Sequence, residues 1–194
     1  MEADWDVEIG PELPSIHVPW EGFVDLRNHA SSAAKEIPEA AAHPALFNAL
    51  VNLNSRESPV LTSKCDIWWI KQEEIDAWEF SARPENARRG FASYVDVLLL
   101  KPEQFRSFQF HELWVRRITE DLQTRVLAHC RVDLVVRPTT FHATSGYGLT
   151  VYAAGCGKEE HTAYAAWEAV LDAAVNATMK MVHLPSTRAS SSIG

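Results

Sequence analysis

The sequence predicts an α+β fold: two ββα units whose hairpins join into a mainly antiparallel four-stranded sheet, with two long helices on one face. Three observations carry this. Two pairs of apolar segments alternate in polarity with period two, as half-buried strands do. Each pair is followed by a stretch with helical apolar spacing. The first strands of the pairs begin at about Cys65 and Cys130, so the order of elements repeats although the residues do not. An N-terminal extended arm and a short helix complete the plan.

Residues 1–30 form the arm. Pro11, Pro14 and Pro19 forbid a helix there and favour extended chain. Ile16, Val18, Trp20, Phe23 and Leu26 are too apolar for a free tail. The arm is therefore expected to wrap its own domain or a neighbouring subunit, with a short strand at about Gly22–Leu26. Residues 31–183 are read as one domain, with halves at about 61–128 and 129–183. Pro44 suits a first helical turn, and Leu46, Leu50 and Leu53 share a face, so a helix is expected near 44–54, preceded by a short turn of helix from Pro38.

Residues 61–70 read as a strand with Cys65, Ile67 and Trp69 on the core face and Asp66, Trp68 and Ile70 on the other. Residues 91–100 read as its partner. The connection, 71–90, is polar and long for a compact domain, which marks it as a lid, a hairpin extension or a disordered loop. Phe110, Trp114, Ile118, Leu122 and Val126 recur every four residues and predict a helix over 110–128. Strands follow at 130–137 and 149–154. Ala163, Trp167, Val170, Leu171, Ala174 and Thr178 trace one face of a helix over 160–182. The tail, 184–194, is poor in apolar residues and expected to be mobile.

Composition narrows the class. Hydrophobic residues are 46% and charged residues 23% of the 194, which is the balance of a soluble globular chain. No apolar run approaches the roughly 18–20 residues that span a bilayer. The acidic start, Met1 to Asp6, has no secretory core, and three scattered cysteines fit reduced thiols. A cytoplasmic location follows. The formal charge of −8 steers the chain away from phosphate backbones, and no nucleic-acid-binding signature is present. The charge is uneven: Arg83 to Arg137 holds ten Lys/Arg and seven Asp/Glu inside an otherwise acidic chain.

Chemistry concentrates on the second hairpin. A turn at Thr144–Ser145 puts Arg137 opposite Tyr152 and Asp133 opposite Cys156. Val132, Leu134, Val136, Val151 and Ala153 then face a core, while Arg131, Asp133, Arg137, Tyr152 and Cys156 share the opposite face. Two arginine forks suit an anionic ligand, with Trp68 and Tyr94 extending the site as aromatic walls. The same face also reads as a set of cross-strand ion pairs. His129, Cys130, Cys156 and His161 are metal-ligand types, but without the tight spacing of a zinc motif. Cys156, between Gly155 and Gly157 ahead of a helix, is the one candidate nucleophile; turn geometry explains the glycines equally well. No Walker loop, dinucleotide fingerprint or nucleophile elbow is present, so no cofactor is expected.

Seven tryptophans remain. Those outside the periodic faces, Trp5, Trp20 and Trp78, suit an interface. The reading that follows is a non-catalytic interaction or assembly module that self-associates through the arm and residues 71–90. A small-molecule-binding domain using the second hairpin is the alternative, and a cysteine- or metal-dependent enzyme the third.

Overall fold

The computed structural model describes residues 1–182. The expected tail over 184–194 lies outside the described residues. The strands run Glu2–Val7 (β1), Ile16–Val18 (β2), Val60–Ile70 (β3), Arg89–Leu99 (β4), Cys130–Phe141 (β5) and Thr144–Gly157 (β6). The helices run Ala30–Ala33 (α1), Pro38–Ala42 (α2), Pro44–Leu53 (α3), Pro102–Phe105 (α4), Phe108–Gln123 (α5) and Glu160–Val182 (α6).

The class is α+β, but the sheet is six-stranded and mixed rather than four-stranded and antiparallel. Its order is β1-β5-β6-β4-β3, with β2 also paired to β5. The two hairpins join antiparallel through β4 and β6. The additional strands come from the arm, and both run parallel to β5. A parallel partner needs a long connection, and the chain between the arm and β5 supplies one. The local signal for β1 is period-two alternation: Ala3, Trp5 and Val7 turn to one face and Glu2, Asp4 and Asp6 to the other. Between β1 and β2 the chain loops out over residues 8–15, while β5 advances only from Val136 to Thr139. Pro138, which has no N–H to give, falls in that gap.

No strand forms at Gly22–Leu26. Phe23 N–H donates to Trp20 O at 3.0 Å and closes a tight turn. Gly22 sits there at φ +90°, which a side chain resists. Ile16, Val18 and Leu26 are buried against the chain's own sheet.

Side chains of β4, β5 and β6 alternate between two layers. Val132, Leu134, Val136, Leu149, Val151 and Ala153 are buried beneath the helices. Trp114 and Trp167 anchor α5 and α6 there: Trp114 Nε1 donates to Thr178 O at 3.2 Å and Trp167 Nε1 to Ser93 Oγ at 2.9 Å. Ser107 caps α5 by accepting from Phe110 N–H. That helix ends at Gln123, short of the expected 128, so Val126 is exposed rather than on a core face. Trp69 does face the helix layer, meeting Phe91 edge to face with ring centroids 4.5 Å apart, yet it stays 47% exposed because β3 is the edge strand.

The connection between β3 and β4 is a chain of three short 3-10 turns, Gln72–Glu74, Trp78–Phe80 and Pro84–Asn86. Phe80 is buried, Glu79 pairs with Arg131 at 2.8 Å, and Ser81 Oγ donates to Glu2 Oε1. These contacts fold the connection onto one end of the sheet.

Candidate functional site

The sheet face opposite the helices is bounded at both ends. At one end Ile16 of the arm lies over Gly148; a Cβ there would come 3.0 Å from Ile16 Cδ1. At the other end a Cβ on Gly90 would come 3.2 Å from Ile75 Cδ1 of the β3–β4 connection. Between them lie Arg131, Asp133 and Arg137 of β5, Tyr152 of β6, Tyr94 of β4 and Trp68 of β3. All six expected ligand-site residues therefore share one face.

Their pairing differs from the expected register. The turn is at His142–Ala143, so Tyr152 faces Asp133 and Arg137 faces Gly148. The displacement is four residues. An even displacement leaves every side chain on its expected face.

Arg137 is the hub. Its Nε and Nη2 reach Glu8 Oε2 at 2.8 and 2.7 Å. Its Nη1 donates to Thr150 Oγ1 at 3.0 Å and to Tyr152 Oη at 3.2 Å. The guanidinium also stands 5.7 Å from the Tyr152 ring centroid. Burial works against its charge, but the bonds to Tyr152 and Glu8 outweigh it and raise the pKa above the usual arginine value. The Thr150 hydroxyl in turn donates a hydrogen bond to Asp96, whose pKa burial pushes upward against the pull of that bond and of Arg137. Arg131 is similarly engaged. It grips Asp133 through two bonds of 2.7 and 2.8 Å and Glu79 through a third of 2.8 Å. The bonds to Asp133 raise its pKa most. Both forks are thus filled by carboxylates of the same chain.

The aromatic walls form a ladder across the strands. Trp68 and Tyr94 centroids are 6.4 Å apart, and Tyr94 and Tyr152 are 5.8 Å apart. Burial, then the charges of Asp96 and Asp66, push the Tyr94 phenol up to about 12.

The hairpin brings His129, Cys130 and Cys156 together, with Cys156 N–H donating to His129 O at 2.8 Å, but not as a reactive or metal-holding set. Cys156 is 1% exposed. Burial and the neighbouring Cys130 push its thiol up to about 11. That is the opposite of the shift an activated thiolate needs. The glycines beside it serve packing, because α6 crosses directly over Gly155. His129 holds a left-handed backbone, φ 60°, and His161 pairs with Glu159 at 3.3 Å on the exposed first turn of α6. Among the described residues no group of three or more His, Cys, Asp or Glu gathers as a metal site. No helix among them is long and apolar enough to cross a membrane.

Two features escaped the sequence reading. One is the acidic row Glu2, Asp4 and Asp6, which β1 lays along this face beside Asp133. The other is the set of neighbours given to Trp78, an expected interface residue that the connection holds 88% exposed. Trp78 borders a concavity of about 500 Å³ together with Glu2, Asp4, Glu79 and Arg131. The alternation of Ala3, Trp5 and Val7 was the available signal for the first; nothing local encodes the second. A scan against protein-family models, a search of curated proteins and a search of solved structures each return no match to the chain.

Proposed function

We propose that the protein is a non-catalytic interaction domain whose acidic outer sheet face takes a basic, extended segment of a partner protein. The observation that supports this reading is Trp78, almost wholly exposed beside Glu2 and Asp4. An exposed tryptophan in a shallow concavity is an anchor of the kind that dominates interface energetics. The acids beside it select the sign of the partner. The side chains of Asp4 and Asp6 accept from the next residue's N–H, and neither has an ion pair among the described residues. They repeat at i and i+2 on one strand face. An extended chain with alternate lysines or arginines presents charges at the same spacing, about 6.6 Å. Trp68, Tyr94 and Tyr152 continue the surface toward β3 and offer ring faces to cations.

A small anionic ligand fits this face less well, because Arg131 and Arg137 are engaged by Asp133, Glu79 and Glu8. Self-association by the same face would set one acidic row against its twin, and the arm's buried side chains serve the chain's own sheet.

A capped peptide of alternating lysine and valine tests the reading by titration calorimetry. The expected result is binding that weakens from 50 to 300 mM salt and falls at least tenfold in both Trp78→Ala and Asp4→Asn/Asp6→Asn. Glu168→Gln, on the helix layer, leaves it unchanged. Equal loss in Glu168→Gln, or none in Trp78→Ala, overturns the proposal. So does a dimer in native mass spectrometry that Trp78→Ala dissolves, which identifies the occupant as a second copy.

A further inference from the structure

A second cavity lies away from this face, where the arm turn Trp20–Phe23 crosses edge strand β3. Its volume is about 260 Å³. A cavity of about 150 Å³ lined by aliphatic side chains accepts benzene, so this one has room for a benzene ring and a short chain. Leu26, Ile37 and Leu50 form an apolar floor, and Leu26 and Leu50 are fully buried. Trp20 forms the rim. Gly22 makes its position possible, since a Cβ there would come 3.2 Å from Trp20 Cζ3.

The polar groups of the lining are few, as in most small-molecule sites. The Ser63 hydroxyl is buried and has no hydrogen-bond partner among the described residues. An orphaned buried hydroxyl is costly unless something else bonds it. Glu36 and Glu39 contribute two carboxylates, and neither has an ion pair among the described residues. The one cation, Lys64, stands 5.0 Å from the Trp20 ring centroid and is engaged there. Cys65 also lines the cavity, and after burial the charge of Glu39 is the largest influence raising its thiol, to about 12.

We infer that this cavity is a binding site for a small primary amine carrying an aromatic group. The ring fills the space over Leu26, Ile37 and Leu50. The ammonium, with three donors and no acceptor, donates to the Glu39 carboxylate and to Ser63 Oγ. The inference is independent of the interaction face, from which the cavity shares no lining residue with Trp78 or the acidic row.

Three probes of one size and different charge separate the possibilities: phenethylamine, 2-phenylethanol and phenylacetate, each titrated into the full chain by calorimetry. Phenethylamine is expected to bind, at least tenfold more tightly than the alcohol, with phenylacetate weakest. Glu39→Gln is expected to erase the preference for the amine over the alcohol, while Ser63→Ala weakens the amine and leaves the melting temperature unchanged. Both substitutions are nearly isosteric, so the fold is retained. Equal binding of amine and alcohol, tighter binding of phenylacetate, unchanged amine affinity in Glu39→Gln, or no binding of any probe overturns the assignment.

Discussion

Thr150 donates its hydroxyl proton to Asp96 Oδ1 at 2.6 Å, directly across the β4–β6 ladder, and both side chains are buried although they lie on the face away from the helices. A carboxylate in that position is short of water, and burial raises its pKa above 3.8 despite the Thr150 bond and the nearby Arg137. The folded state therefore holds the proton more tightly than the unfolded state. Its advantage is full below pH 3.8 and is lost as pH rises through the elevated folded value. Asp96→Asn keeps an acceptor for Thr150 and removes the charge. It is expected to melt above the parent protein at pH 7, with the difference closing as pH falls through that raised value toward 3.8. A lower melting temperature at pH 7 would show that attraction to Arg137 outweighs the desolvation.

His111 gives the opposite sign. It is fully buried on α5, its Nδ1 bonded to Ser107 O at 2.9 Å and its Nε2 without a partner among the described residues. Burial lowers its pKa from 6.5 to about 4. Stability is thus complete above pH 6.5 and declines as pH falls toward 4, by up to roughly 3 kcal/mol at 1.36 kcal/mol per unit. In His111→Phe that decline is expected to disappear from denaturant unfolding measured at pH 7, 6, 5 and 4. A carbon-bound ring proton of His111 that titrates near pH 6.5 would contradict the assignment.

Much of this fold was legible because its elements alternate cleanly. The hairpin strands, the helix from Pro44 and α6 fall where the spacing of apolar residues puts them. The second hairpin kept its faces even though the turn lay elsewhere, since a shift from Arg137 to Asp133 opposite Tyr152 is even. Charge balance was not legible in the same way. Arg137 and Glu8 are far apart in the chain, and only a parallel β1 brings them together. Parallel pairing depends on the whole intervening chain, so no local window encodes it. The cavity under Trp20 is harder still: it draws on the arm, the stretch before α2, α3 and β3.

Gly155 is the position where that packing is least forgiving. A Cβ there would fall on Trp167 N and within 2.7 Å of Ala163 O, both backbone atoms of α6. Backbone cannot rotate aside, so Gly155→Ala must push α6 off β6. The expected cost is about 3 kcal/mol, at the upper end for overpacking. Ala154→Gly, one residue away on the open face, is expected to cost far less. Denaturant midpoints of the two variants check this; a mild Gly155→Ala would mean that α6 slides along the sheet.

Whether Cys156 can act as a nucleophile is decided by the ionisation of the three thiols. Burial is the main cause of each shift, raising Cys65 to about 12 and Cys130 and Cys156 to about 11. At pH 7.5 fewer than about one in a thousand such thiols is ionised, against several in a hundred for a free cysteine. Cys130 and Cys156 are also closed to solvent. In the folded protein a maleimide probe is expected to label both at least about a hundredfold more slowly than in urea. Labelling of Cys156 at or above the unfolded rate would restore the thiolate nucleophile. The same shifts set an alkaline limit. Unfolded thiols ionise from about pH 9, so the fold loses stability as pH rises from there through about 11. In Cys156→Ser, which titrates in neither state over that range, the alkaline loss is expected to be smaller.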